Sequence, residues 1–238
     1  MGRVISEMAA SREDIAVAAG VDLIVKRNYD YPVFAALGDC DVDCDVIVDF
    51  THPSQLTPLL KYALGKKLPA VIATTGISQA QIKEIEEASK QISIFFSANM
   101  SLGVNLIVEL AKKAAAVLGS DFDVEIIEQH HNQKIDAPSG TALMLADGIS
   151  KALPYEPNYV FDRHSKRQKR EKNEIGIHSI RGGSIVGDHS VVFAGRDEVV
   201  TISHSAYSKE VFATGAISAA LFIVSQKNGL YNMADLVL

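Results

Sequence analysis

Two imidazoles and an amine, His130, His131 and Lys134, stand in the string H-H-N-Q-K-I-D-A-P-S-G-T-A that runs from His130 to Ala142. Imidazole and ammonium groups can pass a proton to a reacting centre. The turn from Asp136 to Ser139 reads as the opening of a helix, and the N–H groups of a helix start attract carboxylate or phosphate. Together these residue types describe a site for an anionic substrate. They also fit a plainer arrangement, in which adjacent histidines are surface polar groups at a strand end and Ser139 or Thr141 is an ordinary cap.

Periodicity places the string. Val124 to Glu128 reads as a strand leading into it, and Thr141 to Leu153 as the helix leaving it. Upstream, the apolar runs Ile15 to Val21, Pro32 to Ala36, Val46 to Phe50, Ala70 to Thr74 and Ile92 to Ser97 are nearly continuous, as in strands covered on both faces. Between them, Pro53 to Lys66 predicts a helix with Pro at its start and Leu56, Leu59, Leu60 and Leu64 on one face. Ser78 to Lys90 predicts a second helix, and Arg3 to Ala10 and Gly103 to Leu118 two more. Such alternation builds a parallel sheet with crossover helices. Beyond Leu153 the pattern changes. Pro154 to Asn173 is polar and irregular, and its basic run, Arg163 to Lys172, predicts a solvated, mobile loop. Ile175 to Arg181, His189 to Ala194 and Val199 to Ser205 read as strands separated by Gly182-Gly183 and Gly195-Arg196-Asp197, which predicts antiparallel pairing. A helix from Lys209 to Lys227 closes the chain.

With 238 residues, 47% of them hydrophobic, the chain can bury a sizeable core as one large domain or two small ones. Lys and Arg number 23 against 29 for Asp and Glu, a net charge of -6, so no nucleic-acid partner is expected and an anionic ligand must be held by local positive charge. No apolar run approaches the ~20 residues of a membrane span, and the N-terminus lacks the basic-then-apolar pattern of a signal peptide. The expected location is cytoplasmic, away from membranes. Cys40 and Cys44 sit in the acidic stretch D-C-D-V-D-C-D without further ligands at metal spacing, and read as free, reduced thiols. No metal site is expected.

The string at His130, taken with D-F-T-H-P at Asp49 to Pro53, A-T-T-G at Ala73 to Gly76 and S-A-N-M-S-L-G-V-N at Ser97 to Asn105, resembles the 4-hydroxy-tetrahydrodipicolinate (dihydrodipicolinate) reductase family. R-G-G-S-I-V-G-D-H at Arg181 to His189 and F-A-T-G-A at Phe212 to Ala216 extend the resemblance toward the C-terminus. The resemblance implies reduction of a cyclic, unsaturated dicarboxylate by NADPH or NADH, in a homotetramer of the diaminopimelate and lysine pathway. It assigns catalysis to His130 and Lys134, with Lys134 the better proton donor, and the substrate carboxylates to His131, Ser139, Gly140 and Thr141. Ala73, Thr74, Thr75 and Gly76 fall against the nicotinamide ribose, and Ala98, Asn99 and Met100 beside the nicotinamide. Asp22, at the end of its strand, falls where a carboxylate accepts the adenosine ribose hydroxyls. That favours NADH, although Lys26 and Arg27 lie near enough in sequence to offset a 2′-phosphate. Asp22 also fits as a simple turn residue.

Two departures follow from the same resemblance. Met1 and Gly2 match the tail of the family's Gly-x-x-Gly-x-Met-Gly turn, so the first strand and two glycines are absent, leaving neighbouring strands with open edges. That fits a start assigned at an internal Met, or a fragment of a longer natural chain; the alternative is a shortened relative that binds the dicarboxylate but not the nucleotide. Lys209 stands where the family often has Arg, which keeps the charge but loses the bidentate fork. The expected fold is α/β: a Rossmann-like dinucleotide-binding domain, lacking its first strand, over residues 1–99 and 209–238, and an α+β mixed-sheet domain for substrate and oligomer contacts over residues 100–208. The open face of that second sheet is expected to carry Val191, Phe193, Val200 and Ile202, apolar groups that need covering. A different Rossmann oxidoreductase acting on an amino-acid semialdehyde would need a nucleophile or base that the sequence does not offer.

Overall fold

The computed structural model describes residues 1–24 and 29–237, so Lys26 and Arg27 lie outside the described residues. The chain runs α1 (Gly2–Ala9), β1 (Gly20–Val21), β2 (Val33–Phe34), β3 (Ile47–Asp49), α2 (Leu56–Lys66), β4 (Ala70–Ile72), α3 (Gln79–Ser89) and β5 (Ser93–Phe96). It continues through α4 (Leu102–Leu118), β6 (Asp123–His130), α5 (Gly140–Ala152), β7 (Asn158–Val160), β8 (Glu174–Arg181), β9 (Gly187–Ala194) and β10 (Val199–Ala206). It ends with α6 (Glu210–Ile223), β11 (Gly229–Tyr231) and α7 (Ala234–Val237). Two compact units result, Met1–Leu102 with Glu210–Leu238, and Gly103–Lys209.

In the first unit four parallel strands lie in the order β11-β5-β4-β3. Ala70, Ile72 and Ile94 face Leu56, Leu59, Leu60 and Ala63 of α2 and Ile85 and Ala88 of α3. Val71 and Phe95, alternate residues on the same strands, face Ala216, Ala219 and Ile223 of α6. Helices on both faces are why these strands read as unbroken apolar runs. A capping box between Ser78 and Gln81 starts α3. A 3-10 turn, Pro53–Gln55, capped by the His52 side chain, delays α2 to Leu56. Only Gly20–Val21 of the expected strand Ile15 to Val21 finds a partner, β2, and this pair is a separate two-stranded sheet. The closing helix stops at Ile223 rather than Lys227, and β11 beyond it pairs with β5. Three residues are too few to show a strand period, so β11 is invisible in sequence.

The second unit holds a five-stranded mixed sheet in the order β10-β9-β6-β8-β7. β9 and β10 form the expected antiparallel hairpin. β8 does not pair with β9: β6 lies between them, parallel to β8 and antiparallel to β9. The Gly182-Gly183 turn steps across the end of β6, where Gly182 N–H donates to His130 O at 2.9 Å and Asn132 N–H to Gly183 O at 3.2 Å.

The expectation for the open face is also corrected. Val191 and Phe193 are buried, and Val200 and Ile202 pack beside them, in the core built with Ile107, Val108 and Ala111 of α4 and Ala142, Leu145 and Ile149 of α5. Register decides this: Val191 lies opposite Ile126 and Phe193 opposite Val124, and a one-residue offset would reverse every side chain. The opposite face carries Glu125, Ile127, Ser190 and Thr201 instead. The stretch expected to be irregular contains β7, and its basic run is anchored. Arg163 pairs with Glu174, and Arg170 donates to Asp123 at 2.8 Å and Glu125 at 3.1 Å.

Candidate active site

The buried row of β6 reads Val124, Ile126, Glu128, His130, so an apolar face turns ionisable over its last two inward positions. Glu128 is fully buried. Arg181, opposite His130 on β8, grips it with both terminal nitrogens, at 2.7 and 2.8 Å. His130 Nδ1 lies 2.6 Å from Glu128 Oε2, and Ser139 N–H donates to Oε1 at 3.2 Å. Burial alone would raise this carboxyl, but hydrogen bonds from Arg181, Ser179 and His130 outweigh it and bring its pKa down to about 2. Glu128 is therefore a fixed negative charge beneath the His-rich turn.

Past the strand, Lys134 Nζ lies 2.9 Å from Asp136 Oδ1 and holds that carboxyl below its usual range. His131 is half-buried on the same turn. Ser139 is the N-cap of α5, its Oγ accepting from Ala142 N–H at 3.2 Å. Gly140 and Thr141 open the first turn, and no acidic residue lies within it. His189, opposite Glu128 on β9, brings Nε2 within 3.1 Å of Ser139 Oγ. Burial first, then the neighbouring His130, lowers its pKa to about 4, so His189 is neutral near pH 7. The structure thus gathers His130, Lys134 and Ser139 around the mouth of α5. Lys209 is exposed just ahead of α6 and makes no hydrogen bond or ion pair among the described residues.

In the first unit, a cavity of about 290 Å³ opens past the carboxyl ends of β3, β4 and β5. Met1, Phe50, Thr51, Ala73, Thr74 and Thr75 line it, with Ala98, Met100 and Phe212. Open α/β sheets bind nucleotides at this end. Asp49, buried, accepts from Thr51 Oγ1 at 2.6 Å and Thr74 Oγ1 at 2.7 Å, and so ties two of the lining turns together. The lining suits a nicotinamide: small residues admit a flat ring, and aromatic and thioether groups wall it. Gly2 opens α1, and Gly76 has a φ of 77°, a turn that favours glycine. Asn99 accepts from Ser101 N–H at 2.9 Å, which fixes the turn beside Ala98. Asp22 is exposed after β1, with Oδ1 accepting from Ile24 N–H at 2.9 Å. A larger hollow of about 570 Å³ lies at the opposite, amino ends of the strands, beside Cys44, Lys67 and Ser93. It gathers no set of groups suited to catalysis, and burial pushes the Cys44 thiol up, away from a reactive thiolate.

Profiles described as dihydrodipicolinate reductase, N-terminus, and dihydrodipicolinate reductase, C-terminus, match residues 1–100 and 103–237. The chain belongs to the dihydrodipicolinate reductase family. The 4-hydroxy-tetrahydrodipicolinate reductase of Caldanaerobacter subterraneus subsp. tengcongensis is 52% identical over 239 residues, covering 100% of this chain and 94% of that relative. That of Clostridium tetani is 52% identical over 98% of this chain and 91% of its own length. Among solved structures, a dipicolinate-bound dihydrodipicolinate reductase from Paenisporosarcina sp. TG-14 superposes with a TM-score of 0.82 at 27% identity, covering 100% of this chain and 95% of that one.

Against this dihydrodipicolinate reductase fold, reading the sequence missed Glu128, Arg181, Asp136, His189, Asp49, Phe50, Thr51 and Phe212. Glu128 carried a signal, since residues two apart on a strand share a face with His130. Arg181 and His189 delimit a motif of the resemblance, but nothing local pointed to Glu128 as their neighbour, because only the strand order β9-β6-β8 brings them alongside.

Proposed function

We propose that this protein is a reductase of diaminopimelate and lysine biosynthesis, using NADPH or NADH to convert 4-hydroxy-tetrahydrodipicolinate to tetrahydrodipicolinate. The observation that carries this reading is the convergence, within one unit, of His130, the Lys134–Asp136 pair and the N-terminus of α5. A cyclic dicarboxylate calls for anion-holding groups and one acid. His131, Ser139, Gly140 and Thr141 hold the carboxylates, with Lys209 adding charge, and Lys134 is the acid. Asp136 at 2.9 Å orients the Lys134 side chain toward the turn, and Lys134 gives its proton as electron density builds on the ring. The nicotinamide supplies the hydride when bound. Met1, Gly2, Ala73, Thr74, Thr75, Gly76, Ala98, Asn99 and Met100 hold the nucleotide, and the exposed Asp22 carboxylate receives ribose hydroxyls, which favours NADH.

The relatives' shared name at 52% identity supports the reductase over a non-catalytic dicarboxylate binder. The protein works in the cytoplasm, where free Cys40 and Cys44 stay reduced. It assembles as a homotetramer through the sheet face away from α4 and α5, where Val199 is 62% and Ile180 45% exposed. The deciding experiment supplies the condensation product of pyruvate and aspartate semialdehyde and follows oxidation of NADH and NADPH, alongside titration of each nucleotide with and without pyridine-2,6-dicarboxylate. Turnover with tight nucleotide binding is expected. Dicarboxylate binding without nucleotide binding would sink the reading.

A further inference from the structure

A carboxylate at 0% exposure is an unusual choice for the inner face of a strand. Well-packed apolar groups often stabilise a fold as much as a buried ion pair does, so the pair calls for a role beyond stability. Its neighbours point to one. Three of the groups bonded to Glu128 and Arg181 belong to or adjoin the proposed site. Ser139 N–H, which donates to Oε1, is the cap of the helix that receives the dicarboxylate. Arg181 Nη2 also donates to Asp136 O at 2.6 Å, which pins the turn bearing Lys134. His130 Nδ1, at 2.6 Å from Oε2, has a carboxylate as its partner and must carry a proton to bond with it. The other ring nitrogen, Nε2, runs beside Gly187 of β9, where a methyl group would lie only 3.2 Å away. Glycine keeps that edge of the ring clear.

We infer that Glu128, clamped by Arg181, is the positioning residue of His130: it accepts the Nδ1 proton and so presents Nε2 to the dicarboxylate. This rests on the reductase reading for what Nε2 meets, but the tautomer itself does not. A carboxylate in this place orients the imidazole and supports the imidazolium that forms when Nε2 takes a proton, without being protonated itself. Arg181 has the second task of keeping Glu128 ionised, and its bidentate grip fixes the plane of the carboxylate.

The first test is nitrogen NMR of the histidine-labelled wild-type protein, with the His130 signals identified by their loss in His130→Gln. Neutral His130 is expected with its proton on Nδ1; a proton chiefly on Nε2 overturns the inference. The second is steady-state kinetics of Glu128→Gln. Its kcat is expected to fall on the order of 100-fold, with KM for the nucleotide within about threefold of wild type, and Glu128→Asp to recover part of the loss. An unchanged kcat in Glu128→Gln also overturns it. Should Glu128→Gln fail to fold, the wild-type tautomer still decides. A wild-type protein that binds dicarboxylate but has no reductase turnover would sink the proposed function and leave the tautomer to be judged by NMR.

Discussion

Lys134 and Ser139 lie on the same turn-to-helix segment but are held by different forces, and this separates their expected phenotypes. Lys134 is oriented by Asp136 at 2.9 Å, on a turn whose position Arg181 fixes through the Asp136 carbonyl. Lys134→Met removes the acid while leaving the helix mouth intact, so kcat should fall by roughly 100-fold or more with little change in pyridine-2,6-dicarboxylate affinity. Steady-state kinetics and calorimetry on one preparation check this, and equal losses in both would show Lys134 to be a binding group only. Ser139→Ala acts in the opposite sense. It deletes the cap of α5 and the partner of His189 Nε2, so dicarboxylate affinity should drop more than kcat, with about 1 kcal/mol lost from unfolding stability by urea titration.

Among the elements, α6 shows how tightly the nucleotide cavity depends on packing. A Cβ at Gly215 would sit 1.6 Å from the backbone carbonyl of Met100, on the turn that lines the cavity. Alanine gains about 1 kcal/mol of helix propensity over glycine, but overpacking against backbone costs about 1–3 kcal/mol and displaces the turn. Gly215→Ala should therefore lower the thermal midpoint and weaken nucleotide binding, read by calorimetry. A raised midpoint would mean that α6 shifts freely. In the second unit, Arg170 ties the segment between β7 and β8 to Asp123 and Glu125 of β6. Gly176 makes room, since a Cβ there would meet a Glu125 carboxylate oxygen at 1.7 Å. Arg170→Ala should expose residues 161–173 to protease on the order of tenfold faster, with kcat unchanged.

For the whole molecule, His189 and Glu128, the two with the largest shifts among the buried groups, contribute to the response to acid. His189 has its pKa lowered from 6.5 to about 4, so the unfolded chain binds the proton more readily, and stability falls as pH drops from about 6.5 to 4. Glu128, lowered from 4.5 to about 2, contributes its full stability above about pH 4.5 and loses it as pH falls through 2. Urea midpoints measured from pH 8 to 3 should be flat at the top and decline below about 6.5. His189→Gln should flatten the upper part of that decline, and an identical curve for the variant would assign the slope elsewhere.

The sequence by itself determined what repeats locally. The apolar runs at Val46 to Phe50, Ala70 to Thr74 and Ile92 to Ser97 marked the buried parallel strands, because a strand covered on both faces leaves no polar alternation to confuse it. The helix from Ser78 and the string from His130 to Thr141 were equally plain, since both depend on neighbours a few residues apart. Only the tertiary structure decided which strands meet. Inserting β6 between β8 and β9 turned Val191 and Phe193 inward and set Arg181 and His189 beside Glu128 and His130. Turn residues do not encode that order, because strand pairing over such separations is fixed by which apolar faces α4 and α5 bury, a property of the folded sheet and not of any one segment.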